Sequence, residues 1–185
     1  MIITVQGTHG SGKSTIVREI MSRFPTVTPI TLEGRKRPIG YICSGPETHG
    51  GVFIPGHYET PCGGCDNIPK AQMAYDLIRE QHSHGYDVLF EGILAQHSTP
   101  NIIALHNDKL DVVVIQLDVP TEIAVDGVQA RRDKRGDDRP LDPKNIIKEQ
   151  RSVTMAGRRM RDSGLRVERL DRGPALVLIS ELLGL

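Results

Sequence analysis

GTHGSGKST, from Gly7 to Thr15, decides the reading of this chain. Before it stands Ile2 to Val5, a β-branched apolar run of the kind buried on both faces of a parallel sheet. After it, Ile16, Val17, Ile20, Met21 and Phe24 recur at helical spacing until Pro25 interrupts the pattern. Strand, glycine loop and helix are therefore contiguous. Gly7, Gly10 and Gly12 admit backbone angles closed to other residues, so the N–H groups of Gly7, Thr8, His9, Gly10, Ser11 and Gly12 can turn toward phosphate oxygens. Lys13 then reaches the β and γ phosphates, the Ser14 hydroxyl suits Mg²⁺, and Thr15 is placed for the α phosphate. The expected ligands are ATP and Mg²⁺. The bland alternative is a chance glycine loop with a surface lysine.

Outward from this loop the elements alternate. Val27 to Leu32 reads as a second strand, and 34–67 as an irregular insertion in which Ile39–Cys43 and Val52–Ile54 pair as a hairpin. Ala71 to Ile78 marks a helix that Gly85 closes, and Asp87 to Glu91 a strand with a carboxylate at its carboxyl end. Ile102 to Leu105 follows Pro100 as a short helix, and Val112 to Leu117 is a central strand. Thr121 is placed to cap a helix running toward Arg132, and Pro140 and Pro143 bracket a break before a polar helix ending near Arg161. Leu165 to Leu170 has the alternation of an edge strand, and Pro174 opens a last apolar helix. The alternation predicts an α/β three-layer sandwich whose mostly parallel, five-stranded sheet carries helices on both faces.

With 185 residues the expectation is one domain, 1–185, with the insertion at 34–67 and a lid at 131–143. Lys plus Arg and Asp plus Glu number 23 each, so the net field draws the protein to neither nucleic acid nor membrane. No apolar run reaches the roughly 18 residues of a spanning helix, and the N-terminus carries no basic lead-in, so a cytoplasmic protein is expected. Three cysteines do not suggest a disulfide framework. Oligomeric state is not written in the pattern.

A guanine-specific GTPase would carry Asn-Lys-x-Asp, whereas the segment before the central strand reads HNDKLD and the strand ends in QLDV. A mechanical ATPase would need sensor elements for which the chain is short. GTHGSGKST, VLFEG, LDVP and QARRDKRGDDRPLD, in that order, resemble the nucleoside and nucleotide kinase-like group of P-loop kinases over nearly the whole chain. The resemblance implies that Glu91 lies by the attacking hydroxyl or the Mg²⁺ shell as a general base, with Asp118 a weaker candidate. It also implies that Arg131, Arg132 and Arg135 are lid arginines that clamp phosphate, Arg132 and Arg135 sharing a face. The ordinary alternatives are a structural glutamate and a solvated helix whose arginines Asp133, Asp137 and Asp138 neutralise.

GHYETPCGGCD, from Gly56 to Asp66, occupies the place where small kinases build the acceptor pocket. Glu59 and Asp66 are candidate acceptor ligands, and Tyr58, Tyr41 or Phe53 candidate base-stacking rings. Cys62 and Cys65 have the spacing of a metal or redox pair, which His49, His57 or Cys43 would complete for zinc; the plainer alternative is a glycine-shaped turn with packed thiols. With the glycine loop and VLFEG, this segment resembles the bacteriophage 5-hydroxymethyluracil DNA kinases. That resemblance implies phosphorylation of a base hydroxymethyl group within DNA, the base leaving the stack first. Lys144, Lys148, Arg151, Arg158 and Arg159 then become candidate phosphate contacts, or simply a solvated face. The neutral balance keeps a nucleotide or small-metabolite acceptor open, and a nucleotide-gated binding module or a zinc or thiol module are the readings from other classes.

Overall fold

The computed structural model describes residues 1–46, 50–60, 63–92, 99–137, 139 and 141–185. Seven strands form one sheet in the order β2-β3-β4-β5-β1-β6-β7. These are β1 (Ile2–Gln6), β2 (Thr26–Ile30), β3 (Gly40–Ser44), β4 (Val52–Pro55), β5 (Asp87–Glu91), β6 (Val112–Leu117) and β7 (Arg166–Leu170). β4, β5, β1, β6 and β7 run parallel, and β3 pairs antiparallel with both β4 and β2. The sheet is thus mostly parallel as expected, but it has seven strands rather than five. The insertion hairpin is not a separate flap: β4 pairs with β5, so β3 and β2 extend the same sheet.

The helices are α1 (Lys13–Ser22), α2 (Ala71–Ser83), α3 (Thr99–Asn107), α4 (Thr121–Asp133), α5 (Pro143–Asp162) and α6 (Arg172–Leu183). Alternation along each central strand assigns them to opposite faces. Ile3, Val5, Leu89, Val113 and Ile115 pack with Ile16, Val17 and Ile20 of α1 and Ala175 and Ile179 of α6. Ile2, Val88, Phe90, Val112 and Val114 pack with Ala74 and Ile78 of α2, Ile102 and Leu105 of α3 and Met160 of α5. Every residue of β1 and of β6 is buried, which is why both read as continuous apolar runs. β2 is an exposed edge, and Pro29 fits there because an edge strand can lack one N–H donor.

Two details differ from the sequence reading. Pro120, not Thr121, is the N-cap of α4, and the Thr121 hydroxyl instead donates to Gln150 Oε1 at 2.9 Å, tying α4 to α5. Phe53 is wholly buried in the core between β4 and α2, so it stacks on no ligand. The expected break before α5 does have its cap: Asp142 accepts from Lys144 N at 2.9 Å, with Pro143 at the first helical position. Pro140 and Asp138 lie outside the described residues.

β1 and β6 are also joined through side chains at their carboxyl ends. Gln116 Nε2 donates to Gln6 Oε1 at 3.0 Å and to the Val153 carbonyl of α5 at 2.8 Å. α5 comes this close because residue 157 has no side chain: a Cβ there would stand 2.3 Å from Gln116 Oε1. Gly157→Ala is expected to cost about 1–3 kcal/mol by overpacking and by breaking this buried amide network. Thermal unfolding should show it as a fall of several degrees; an unchanged midpoint would mean that α5 shifts freely.

Candidate active site

The carboxyl ends of β1 and β5 lie side by side, Val5 opposite Glu91, so the loop after β1 meets the carboxylate that ends β5. Gly10 and Gly12 have φ of 77° and 93°, in the left-handed region open to glycine. Between them the backbone bends and enters α1, whose N-cap is Gly12. Lys13 folds back across the loop, donating to the carbonyls of Gly7 and Thr8 at 2.9 Å each. Its side chain is buried, and among the described residues no carboxylate lies within ion-pair distance of the ammonium. Burial pushes the Lys13 pKa down, an effect partly offset by the fields of Glu91 and Glu149. The Ser11 hydroxyl, also buried, has no hydrogen-bond partner. A loop that holds a buried cation and an unused hydroxyl is suited to an entering anion.

Glu91 is 2% exposed, and its Oε1 accepts from the Ser14 hydroxyl at 2.7 Å. Burial raises its pKa; Lys13 and the Ser14 hydrogen bond oppose that rise. The donor set around it is oxygen: the Ser14 hydroxyl, the Glu91 carboxylate and, across Gly92, the Asp66 carboxylate. Hard oxygen donors few enough to leave waters in place fit Mg²⁺.

The insertion supplies one wall. Gly56 and Gly64, both at positive φ, meet so closely that a Cβ on Gly56 would stand 2.1 Å from the Gly64 carbonyl oxygen. Gly64 in turn lies against Glu91, where a Cβ would come within 2.6 Å of Oε1. This folds Cys65–Asn67, a short 3₁₀ turn, over the end of β5. Arg18 of α1 fastens the segment from below, donating to the Tyr58 carbonyl at 3.1 Å and to that of Thr60, with its guanidinium 5.9 Å from the Tyr58 ring centre.

The opposite wall comes from α4 and α6. Gly127 meets Gly10, where a Cβ would stand 2.6 Å from the Gly10 carbonyl oxygen. Arg172, the first residue of α6, donates through Nε to the Ser11 carbonyl at 2.8 Å and through Nη2 to that of Gly10 at 3.2 Å. Between the walls is a cavity of about 410 Å³ that contains Lys13, Ser14, Arg18, Asp66, Glu91, Arg131 and Arg172.

The structure therefore brings together the loop residues Gly10, Gly12, Lys13, Ser14 and Thr15 with Glu91, Asp66 and Arg131. Other candidates are placed elsewhere. Arg132 donates to the Arg139 carbonyl at 2.6 Å and lines a neighbouring groove with His9. Arg135 lies beyond the end of α4, exposed in the turn that follows, so it does not share a helix face with Arg132. Asp118 pairs with Arg169 at 2.6 Å on the far side of β6. Tyr58 is buried with its hydroxyl unpartnered, Tyr41 is buried beside it, and Glu59 is exposed at a separate small cavity. Cys62 and His49 lie outside the described residues. Cys43 and Cys65 are free and buried; burial pushes the Cys43 thiol up to about 12 and the Cys65 thiol well above its usual range, so both are held as unreactive thiols. No group of three or more His, Cys, Asp or Glu among the described residues could hold a metal ion by itself.

Two contributors had no signal in the pattern. Arg172 stands 159 residues after Lys13 and reaches the loop only through the fold. Glu149 of α5 grips His9 twice, Oε2 accepting from the backbone N–H at 2.9 Å and Oε1 standing 2.7 Å from Nδ1. Burial pushes the Glu149 carboxyl up, but the hydrogen bonds from His9 outweigh it and hold it below the ordinary range.

No family model matches the chain. Among curated proteins, it is 36% identical over 187 residues to the 5-hmdU DNA kinase of Pseudomonas phage PaMx11, covering 98% of this chain and 96% of that one. The 5-hmdU DNA kinase of Delftia phage PhiW-14 is 29% identical, covering 89% of this chain and 65% of that protein. For the Bacillus phage SP10 counterpart the identity is 21%, with 89% of this chain and 26% of that protein covered. Among solved structures, deoxyadenosine kinase from M. mycoides, with dCMP and dCDP bound, superposes with a TM-score of 0.51 at 16% identity, over 99% of this chain and 98% of that one. A structure of the PezAT toxin–antitoxin system of Streptococcus pneumoniae gives 0.54 at 16%, over 94% and 67%. These two likenesses are of fold.

The Gly10–Gly127 contact yields a test that needs no knowledge of the acceptor. A methyl group at 127 would push α4 off the loop, so Gly127→Ala should weaken binding of a fluorescent nucleoside triphosphate by about tenfold, or ~1.4 kcal/mol, within the roughly 1–3 kcal/mol typical of overpacking. Unaltered affinity in a folded variant would show that this wall is not needed for binding.

Proposed function

Because the chain belongs to the family of phage 5-hmdU DNA kinases, we propose that this phosphotransferase moves the γ-phosphoryl group of ATP to the hydroxymethyl oxygen of 5-hydroxymethyluracil in DNA. What supports the chemistry is one cavity in which Lys13 and Ser14 face Glu91, with the insertion forming its far wall. What supports the acceptor is similarity to the PaMx11 kinase along nearly the full length of both chains.

In this reading the glycine loop Gly7–Gly12 cradles the phosphates through its N–H groups, Thr8, His9 and Ser11 among them, and Thr15 serves the α phosphate. Lys13 offsets charge on the transferring group; its ammonium is already oriented by two loop carbonyls and, among the described residues, has no carboxylate at ion-pair distance. Ser14, with Glu91 and Asp66 behind it, would hold Mg²⁺, which when bound would offset negative charge on the triphosphate. Glu91 takes the proton from the hydroxymethyl oxygen as that oxygen forms its bond to the γ phosphorus, while the bond from that phosphorus to the β–γ bridging oxygen breaks and ADP leaves. A buried carboxylate with a raised pKa is a stronger base than a solvated one, and its place at the end of β5 holds it fixed.

Arg131, which lines the cavity, clamps the phosphates from the α4 side, and Arg132 and Arg135 belong to the lid at 131–143, which brings them in when it closes. On the acceptor side Asp66 faces the cavity and receives a hydrogen bond from the base. Tyr58 backs this wall from within the core, and Glu59 lies at its outer edge. A base paired inside a duplex cannot bring its 5-substituent to Glu91, so the acceptor enters unstacked.

The deciding measurement is transfer of labelled γ-phosphate to DNA containing 5-hydroxymethyluracil, beside unmodified DNA and the free hydroxymethylated nucleotide. Label in the modified DNA alone is expected. Label only in the nucleotide would move the acceptor to a small molecule, a reading that the zero net charge also suits.

Glu91→Gln should retain nucleotide binding while transfer slows by about 10²–10⁴-fold, the usual contribution of a positioned base. Glu91 works deprotonated and its pKa is raised, so the wild-type rate should fall as pH drops through a value above the ordinary glutamate range. The variant should lack that acid limb. Equal rates in the two proteins would remove Glu91 from the role of base.

A further inference from the structure

The outer face of α5 has a charge pattern that neither its packing nor the cavity uses. Its inner face is apolar and buried through Ile146, Val153, Gly157 and Met160. On the opposite side, Lys144, Lys148, Arg151, Met155 and Arg158 follow one another at steps of four, three, four and three residues, with Arg159 beside the last. These steps put the side chains on one stripe of the helix, about 100° wide. All five cations are exposed, and among the described residues none is in an ion pair. Of the two carboxylates within the helix, Glu149 is turned away and held by His9, and Asp162 stands at the carboxyl-terminal end, one turn past Arg158, in no ion pair among the described residues.

Such segregation is informative because the chain as a whole has equal numbers of acidic and basic residues. A helix solvated for its own sake gains from Glu and Lys interspersed at i, i+4, and suffers from like charges at that spacing. Here Lys144 and Lys148 stand at i, i+4 and Lys148 and Arg151 at i, i+3, like charge beside like charge. Met155, 49% exposed in the middle of the stripe, adds an apolar contact point rather than a counter-charge. Lys148 also lines the groove that opens onto His9 of the glycine loop, so one end of the stripe adjoins the active site.

We propose that this face of α5 is the track for the sugar–phosphate backbone of the DNA substrate. The proposal rests on the acceptor reading above and adds where the polymer lies. From Lys144 to Arg158 the helix rises about 21 Å at 1.5 Å per residue, a span of about six phosphates of one duplex strand at ~3.4 Å per step. The stripe has no planar aromatic side chain, so it reads charge and not sequence; base recognition stays with the insertion wall. A neutral protein thereby acquires a directional grip on a polyanion, with the reactive cavity at one end.

The test compares wild type with the variant K144Q/R151Q/R158Q, which touches no cavity residue. Binding of a modified DNA of about 30 nucleotides is followed by fluorescence anisotropy across a salt series, at about 0.9 units of log–log slope per duplex phosphate contact and 0.7 per single-strand contact. The variant should bind at least about tenfold more weakly at low salt, and its slope should be smaller by about two to three units. Transfer to a hydroxymethyluracil trinucleotide, too short to reach along the helix, should be the same in both proteins, as should the melting temperature. Unchanged DNA affinity and slope would overturn the proposal. So would unchanged DNA binding accompanied by lost binding to phosphatidylserine vesicles, which would assign the stripe to a membrane surface. A wrong acceptor assignment shows differently, as a wild-type protein that leaves the trinucleotide unlabelled while the anisotropy comparison still reads the track.

Discussion

A buried lysine whose ammonium is held by two backbone carbonyls governs the architecture around the candidate active site. Taking an ammonium out of water is costly, and Lys13 recovers part of that cost from two loop carbonyls. Those carbonyls can turn inward only if the loop bends back over the end of β1, and the bend requires left-handed angles at Gly10 and Gly12. The same bend leaves no room for side chains above it. Gly127 is the consequence on one side, bringing α4 against Gly10; on the other side it is Glu91, not the loop, that Gly64 meets as the insertion closes in. The fold thus holds a buried positive charge in a cradle of backbone carbonyls at the mouth of the cavity.

Much of this was legible in the sequence because it is local. Loop, flanking strand and flanking helix are contiguous, and their periodicities are clean: β1 and β6 are buried along their whole length and contain little but apolar and β-branched residues. Glu91 could be placed by position, since the end of a parallel strand beside β1 must face the loop. The hairpin in the insertion was also visible. Its incorporation into the sheet was not, because the pairing of β4 with β5 joins segments that an intervening helix separates.

The illegible part is long-range or depends on helix ends. Arg172 touches Gly10 and Ser11 because the parallel strands β1 and β7, with β6 between them, end on the same side of the sheet, and no spacing rule connects residues so far apart. Glu149 was hidden in a run of charges, its difference from its neighbours being only that it points at His9. Arg135 was misplaced because α4 stops at Asp133; two residues decide whether an arginine continues a helical face or leaves it. Phe53 was one of three candidate stacking rings, and its strand, paired on both sides, turns it into the core. Aromatic residues in irregular-looking sequence are ambiguous in this way until their strand register is known.

The two walls of the cavity come from different stretches of the chain. Arg18, Gly63, Asp66 and Glu91 all precede residue 92, whereas Gly127, Arg131 and Arg172 all follow residue 120, and the glycine loop alone serves both. One wall is the insertion, anchored by its own glycines and by Arg18; the other is carried on α4 and α6. The insertion wall is carried by 34–67, a stretch that contributes nothing to the glycine loop, α4 or α6. Substitutions confined to that stretch can therefore reshape one side of the cavity while the loop and the opposite wall keep their form.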